Sequence, residues 1–297
     1  MAADSTIPDT FTLAADSAEP ITVKRLGYGG MQLTGPGIWD MPEDIDNAIA
    51  VLKAAVDSGV DFIDTADSYG PHENERLIER ALHPYSGVTI ATKGGLLRTG
   101  PGAWHPCGVP NYLRQCVEMS LRRLRVERID LWQLHRVDSA VDARAQFEVI
   151  AQMQQEGKIL HVGLSEVDVE TLQQAQEFMP IVSVQNLYNV LNRASEAVLE
   201  HCEAHGIGFI PWFPLGSRRL TDADVADDRS GFDAISRIAA EHEISSAQVA
   251  LAWLLQRSPG MLPIPGTKSL HHLADNMAAA QVQLSQTAVA ELDSLAG

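Results

Sequence analysis

Short apolar runs alternate with helix-like segments along nearly the whole chain, and this alternation constrains the fold more than any other feature of the sequence. The clearest runs are D-F-I-D-T-A-D-S-Y (61–69), V-T-I-A-T-K (88–93) and I-D-L-W-Q-L-H (129–135). β-branched and large apolar residues dominate them, and each is too short for a helix, so each reads as a buried strand. A helix-like segment follows each run, and strands alternating with helices imply parallel β/α units.

On this reading strands are expected at 25–31, 61–66, 88–93, 129–135, 159–165, 181–189, 207–213 and 261–266. Helices are expected at 43–58, 73–82, 110–124, 141–156, 168–178, 195–205, 232–242 and 245–257, with closing helices near 269–277 and 286–295. Acids at the start of the first helix suit its dipole, Pro110 suits a first helical turn, and Gly59, Gly157 and Gly206 are stop signals. About eight strand–helix units is the count that a closed (β/α)8 barrel needs. A doubly wound open sheet is the alternative, but it would normally carry a G-x-G-x-x-G turn after its first strand. Gly27, Gly29 and Gly30 do not supply that spacing.

Outside the repeating units, 10–24 reads as a hairpin, residues 1–9 as a frayed tail, 94–102 as a glycine-rich loop and 217–231 as an inserted polar loop. No linker or shift in composition divides the 297 residues, so one domain is expected. A net charge of −17 argues against nucleic acid and against anionic membrane surfaces. The longest apolar run, 249–255, is too short to span a bilayer, and the first residues show no signal-peptide pattern. Cys107, Cys116 and Cys202 make no disulfide framework. His105, Cys107 and Cys116 match no common zinc spacing, so no metal is expected. The expectation is a soluble cytoplasmic protein, a monomer or weak homo-oligomer, acting on small molecules.

Four polar residues stand at or just past the ends of the clearest strands: Asp64, Tyr69, Lys93 and His135. Parallel β/α folds place active sites at the C-terminal ends of strands. An acid, a phenol, an amine and an imidazole converging there suit proton transfer with tuned pKa values. Tyr69 is the candidate general acid. Its ordinary pKa near ~10 is too high for efficient donation at neutral pH, and a neighbouring ammonium, Lys93, is expected to lower it. Asp64 is positioned to hold Lys93 charged, and His135 to hydrogen-bond a substrate oxygen. Taken singly, Asp64 also reads as a strand-end cap, Tyr69 as a loop aromatic, Lys93 as a surface residue and His135 as a satisfied core histidine.

The ordered set D-T-A-D-S-Y (64–69), A-T-K (91–93), L-H (134–135), H-V-G-L-S (161–165), Q-N-L-Y-N (185–189), P-W-F-P-L-G (211–216) and I-P-G-T-K (264–268) resembles the aldo-keto reductases over about 22–280. The resemblance implies a (β/α)8 barrel and metal-free, reversible hydride transfer between NADPH and a carbonyl compound. It assigns Asp64, Tyr69, Lys93 and His135 as a catalytic tetrad. It also implies a cofactor site. Ser165 and Gln185 are expected at the nicotinamide carboxamide, with Trp212 stacked on the ring. Leu215, Gly216, Ser217 and Arg218 are expected around the pyrophosphate, and Gly266, Thr267 and Lys268 at an anion site with Lys268 on the 2′-phosphate. Asp275 and Asn276 are expected near the adenine, and Gly30, Met31, Phe213, Pro214 and Ile264 complete the lining. Two positions depart from the family pattern. Glu166 stands where Asn is usual, and it is expected to accept from the carboxamide or to favour the oxidised cofactor. His272 stands where NADPH-preferring members often carry Arg, and imidazole is the weaker phosphate partner, which leaves NADH as a lesser option.

The substrate pocket is expected from Met31, Trp39, Tyr69, Trp104, His135 and Arg136, since aromatics bind flat apolar groups well. Trp39 and Trp104 also read as packing their own loops. Arg136 reads either as a partner for an anionic substrate group or as an ion-pair partner of Asp138. Within the family, L-G-Y-G-x-M-Q-L (26–33), Y-G-P-H (69–72) and A-L-A-W-L-L-Q-R-S-P (250–259) resemble a bacterial subgroup that includes pyridoxal reductases (pyridoxine 4-dehydrogenases). Oxidation of a bulky secondary alcohol, a nucleotide-sensing protein on the same fold and a barrel isomerase or lyase are the other readings the sequence leaves.

Overall fold

The computed structural model describes residues 9–216, 220 and 229–295. The expected tail lies almost wholly outside them, as does most of the expected 217–231 insertion. An antiparallel hairpin, β1 (Thr10–Leu13) and β2 (Ile21–Lys24), opens the chain as expected. The alternating units follow: β3 (Tyr28–Gly29), α1 (Ile45–Asp57), β4 (Phe62–Asp64), α2 (Glu73–Leu82) and β5 (Thr89–Gly94). A second hairpin, β6 (Leu96–Gly100) and β7 (Ala103–Pro106), precedes α3 (Pro110–Leu124) and β8 (Ile129–Leu134). Then come α4 (Ala143–Gln155), β9 (Ile159–Ser165), α5 (Val169–Gln176), β10 (Ile181–Gln185), α6 (Glu196–Ala204) and β11 (Gly208–Phe209). The chain closes with α7 (Arg229–Glu241), α8 (Ser246–Arg257), α9 (Leu270–Ala278) and α10 (Gln286–Asp293).

The parallel sheet runs in the order β3, β4, β5, β8, β9, β10, β11. The expected last strand, 261–266, completes the barrel without regular pairing. On one side the Phe209 N–H donates to Gly260 O and the Leu262 N–H to Phe209 O, at 2.9 and 2.8 Å. On the other, the Gly27 and Gly29 N–H groups donate to Pro263 O and Pro265 O. Pro263 and Pro265 have no N–H to return, so the ladder is one-sided there. The contact is also unusually close. A Cβ on Gly29 would lie 2.6 Å from Ile264 O, and one on Gly266 would lie 2.5 Å from Gly29 O, so only glycine fits at both positions. This is the (β/α)8 barrel that the alternation predicts.

The barrel interior is filled by Phe62, Ala91, Leu131, Val182, Ile210, Leu262 and Ile264. Leu13 and Val23 of the first hairpin pack on the same cluster and plug it from below. The larger core lies between strands and helices, where Tyr188 and Trp253 stack at 5.9 Å. Helix starts match their local chemistry. Asp44 accepts from the Asn47 N–H at 2.8 Å, and Ser245 with Gln248 forms a capping box on α8.

Two expectations need correction. The 94–102 segment is not a loop but most of a hairpin, which puts its side chains in register across the barrel mouth. The first, second, sixth and seventh strands are shorter than their apolar runs. The backbone leaves the sheet as soon as it passes the barrel rim, and Gly30–Leu33 turns into a short 3-10 helix.

Candidate active site

The expected catalytic groups sit at or just past strand ends on one face of the barrel. Asp64 ends β4, Lys93 lies in the last turn of β5, His135 directly follows β8, and Tyr69 is in the loop after β4. Lys93 is fully buried, and its ammonium donates to Asp64 Oδ1 at 2.5 Å, Thr65 O at 2.9 Å and Tyr69 OH at 3.2 Å. Asp64 Oδ2 accepts from Gln185 Nε2 at 2.8 Å and Gln133 Nε2 at 3.2 Å. A buried charge needs a partner and further hydrogen bonds, and this carboxylate has both.

These contacts set the protonation states. Burial pulls the Lys93 ammonium down, but Asp64 and Tyr69 outweigh it and its pKa is raised. Burial pushes the Tyr69 phenol up, and Lys93 pulls it back only in part, so the net shift is upward. Against the expectation from sequence, the lysine does not prevail. Desolvation of the phenolate, which depends on how the loop packs, is the larger effect. Tyr69 therefore holds its proton at neutral pH, and it lines the cleft above these groups. His135 is held well below its ordinary value by burial first, then by Lys93, Arg136 and Arg98. It is a neutral imidazole, with Nδ1 in a 3.2 Å hydrogen bond to Ser68 Oγ.

One further residue, unmarked in the sequence, organises the cleft wall around Trp104. Arg98, on β6, donates to Ser68 O at 2.7 Å, Ile38 O at 2.8 Å, and Ala103 O and Gly37 O at 2.9 Å. Its guanidinium lies 3.5 Å from the Trp104 ring centroid and 5.6 Å from that of Trp39. It thus ties three loops together and sets Trp104 edge-on to Tyr69 and His135, at 6.3 and 6.4 Å. Three of its acceptors, in residues Gly37, Ile38 and Ser68, lie 30 to 61 residues upstream, so no local pattern marks it.

A cleft of about 980 Å³ opens above these groups. It is lined by the expected Met31, Asp64, Tyr69, Trp104, His135, Arg136, Ser165, Gln185, Trp212, Phe213, Pro214, Leu215, Ile264, Gly266, Thr267, His272, Asp275 and Asn276. Lys93 lies beneath it. Gly30, Trp39, Glu166, Gly216 and Lys268 do not line it, and Ser217 and Arg218 lie outside the described residues. Trp39 packs beyond Arg98 instead. Lys268 is exposed on a neighbouring depression lined also by Gln32, Thr34 and Asn47. Glu166, at φ +56°, turns its carboxylate toward the protein, where Oε1 accepts from Trp212 Nε1 at 2.6 Å and the Leu187 N–H at 2.7 Å. It orients the indole wall rather than the cleft floor.

The cleft is also lined by residues not expected from sequence: Gly29, Gln32, Ile38, Leu96, Pro106, Pro265 and the start of α8 at Ser245, Ser246 and Ala247. The S-S-A-Q sequence at 245–248 is a capping-box signature and was a readable signal for a helix N-terminus there. Asp275 accepts from Ser245 Oγ at 2.7 Å and so locks α9 to that N-terminus.

A parallel barrel that gathers an acid, an amine, a phenol and an imidazole beneath one cleft has the groups that general acid–base enzymes use. The chain belongs to the aldo/keto reductase family, whose model matches residues 25–296. It is 52% identical over 287 residues to an uncharacterized oxidoreductase of Schizosaccharomyces pombe, covering 94% of this chain and 91% of that one. It is 40% identical to the pyridoxine 4-dehydrogenase of Escherichia coli, covering 97% and 98%. Among solved structures, an aldo/keto reductase from Klebsiella pneumoniae in complex with NADP and acetate superposes with a TM-score of 0.79 at 25% identity, covering 97% of this chain and 95% of that one. The chain is an oxidoreductase of this family.

Proposed function

We propose that this chain transfers hydride between NADPH and a small aldehyde or ketone, with Tyr69 as the acid in reduction and the base in oxidation. The observation that carries this is the buried relay from Asp64 through Lys93 to Tyr69 OH at the cleft floor. The E. coli relative makes pyridoxal and pyridoxine the first substrate pair to test. The Klebsiella neighbour favours NADP(H) as cofactor. The reading treats 1–297 as one cytoplasmic domain, a monomer or weak homo-oligomer.

The donor set suits a dinucleotide. Ser165 and Gln185 present polar groups for a carboxamide, and Trp212 offers a flat wall for the ring. The N-terminus of α8 and the 264–267 turn, with His272, Asp275 and Asn276, offer donors and acceptors for phosphate and adenine. Bound there, the cofactor supplies or accepts the hydride. Tyr69 donates its proton to the carbonyl oxygen as charge develops on it, which stabilises the transition state more than the ground state. Lys93, held charged by Asp64, stabilises the phenolate left behind. Neutral His135 hydrogen-bonds the same oxygen and orients it. Trp104 and Trp212 wall the reacting centre from water.

The test is NADPH consumption by the pure protein against a carbonyl panel that includes pyridoxal, with Tyr69→Phe alongside. Loss of turnover with NADPH binding retained supports the reading. Full activity in Tyr69→Phe removes Tyr69 as the acid, and NADPH binding without turnover of any carbonyl points to a nucleotide-sensing role.

A further inference from the structure

Arg136 is the one guanidinium that lines the cleft among the described residues. It is half-buried, immediately after His135, and its setting is asymmetric. Nη1 donates to His135 O at 2.5 Å and to Ser165 Oγ at 3.0 Å, which fixes the group on one nitrogen. Nε and Nη2 have no acceptor among the described residues. The guanidinium stands 6.0 Å from the Trp212 ring centroid.

The carboxylate that the sequence offered it is engaged elsewhere. Asp138 accepts from the Gly108 and Ala140 N–H groups, each at 2.9 Å, so the rim ion pair with Arg136 does not form. Glu166, the other nearby acid, spends Oε1 on Trp212 and Leu187. In a chain of net charge −17, a cleft-facing guanidinium without a bonded carboxylate is unusual. Planar donors left open in a partly dry site match an anionic oxygen, and the Trp104 indole on the cleft wall matches a flat ring.

We infer that Arg136 is a specificity site for substrates that carry an anionic oxygen, carboxylate or phenolate, on the same aromatic ring as the reacting carbonyl. The inference rests on the carbonyl-reductase reading and names its substrate class. The ring lies against Trp104, its anionic oxygen takes the open donors of Arg136, and the carbonyl oxygen faces Tyr69 and His135.

The experiment compares 2-, 3- and 4-formylbenzoate with their methyl esters, in wild type, Arg136→Met and Arg136→Lys, with NADPH. The readout is the acid-to-ester ratio of kcat/KM within each protein, which cancels any general damage to catalysis. Wild type should favour the acid of at least one isomer by ~10-fold or more, as expected for a charge-assisted hydrogen bond. Arg136→Met should erase that preference, and Arg136→Lys should restore part of it. No preference in wild type for any isomer overturns the inference, as does an equal loss for acid and ester in Arg136→Met. If wild type reduces none of these aldehydes yet reduces another carbonyl such as pyridoxal, the inference is overturned; if it reduces no carbonyl at all, the carbonyl-reductase reading is what has failed. Benzoate quenching of tryptophan fluorescence then decides the subsite by itself: weaker binding in Arg136→Met upholds it, and equal binding overturns it.

Discussion

Replacing Lys93 by Met tests whether the buried relay is held together by charge. Met keeps most of the stem volume, and the stem is already fully buried, so little hydrophobic gain is expected. The substitution strips Asp64 Oδ1, Thr65 O and Tyr69 OH of a donor at one stroke. Asp64 keeps only its two glutamine amides, both on Oδ2. Removing one partner of a buried pair costs about 3–5 kcal/mol, because the other charge is stranded. In the double variant Lys93→Met/Asp64→Asn no charge is stranded, so it should be more stable than the sum of the single losses by about 2 kcal/mol or more. Urea unfolding followed by tryptophan fluorescence measures all four corners of this cycle, with m-values compared to check that the unfolded state is unchanged. A loss under about 1 kcal/mol for Lys93→Met, or strict additivity in the double variant, would refute the argument. The reductase rate is a separate readout, and it should collapse in both single variants.

Three further outcomes follow from the geometry. Burial, with Glu75 nearby, raises Asp67 to about 7, so the native state binds more protons than the unfolded state between its ordinary value and pH 7. That contribution is intact at low pH and is lost as pH rises to about 7. Asp67→Asn should therefore gain thermal stability relative to wild type as pH rises from 5 to 8, and parallel Tm–pH curves would disprove it. Arg98→Met unties the loops behind Trp104 and should raise KM for aromatic aldehydes more than it lowers kcat, at a stability cost of about 2 kcal/mol; an unchanged KM would remove Arg98 from the substrate wall. Glu166→Asn is too short to reach Trp212 Nε1 and should weaken NADPH and NADP+ binding alike by ~3–10-fold. A shift in their ratio alone would show instead that the carboxylate senses the charge of the nicotinamide.

Much of this protein was legible in the sequence because the relevant signals are local. Strand and helix identity follow from the length and periodicity of apolar runs, and the helix 73–82 falls on the expected residues. The positions of Asp64, Lys93 and His135 follow from where those runs end, since a parallel sheet delivers every strand end to the same face. What the tertiary structure decided are quantities set by distant segments meeting. The upward shift of Tyr69 arises from desolvation, which no neighbouring residue encodes. The hairpin over 96–106 was hidden because its glycines read as a loop until paired. Arg98 finds two of its acceptors about 60 residues upstream, Glu166 meets Trp212 across 46 residues, and Arg136 meets Ser165 across 29. Sequence periodicity determined the scaffold and which chemical groups reach its rim. Burial and long-range hydrogen bonding, which exist only once the barrel closes, decided which protons those groups hold and which of them face the cleft.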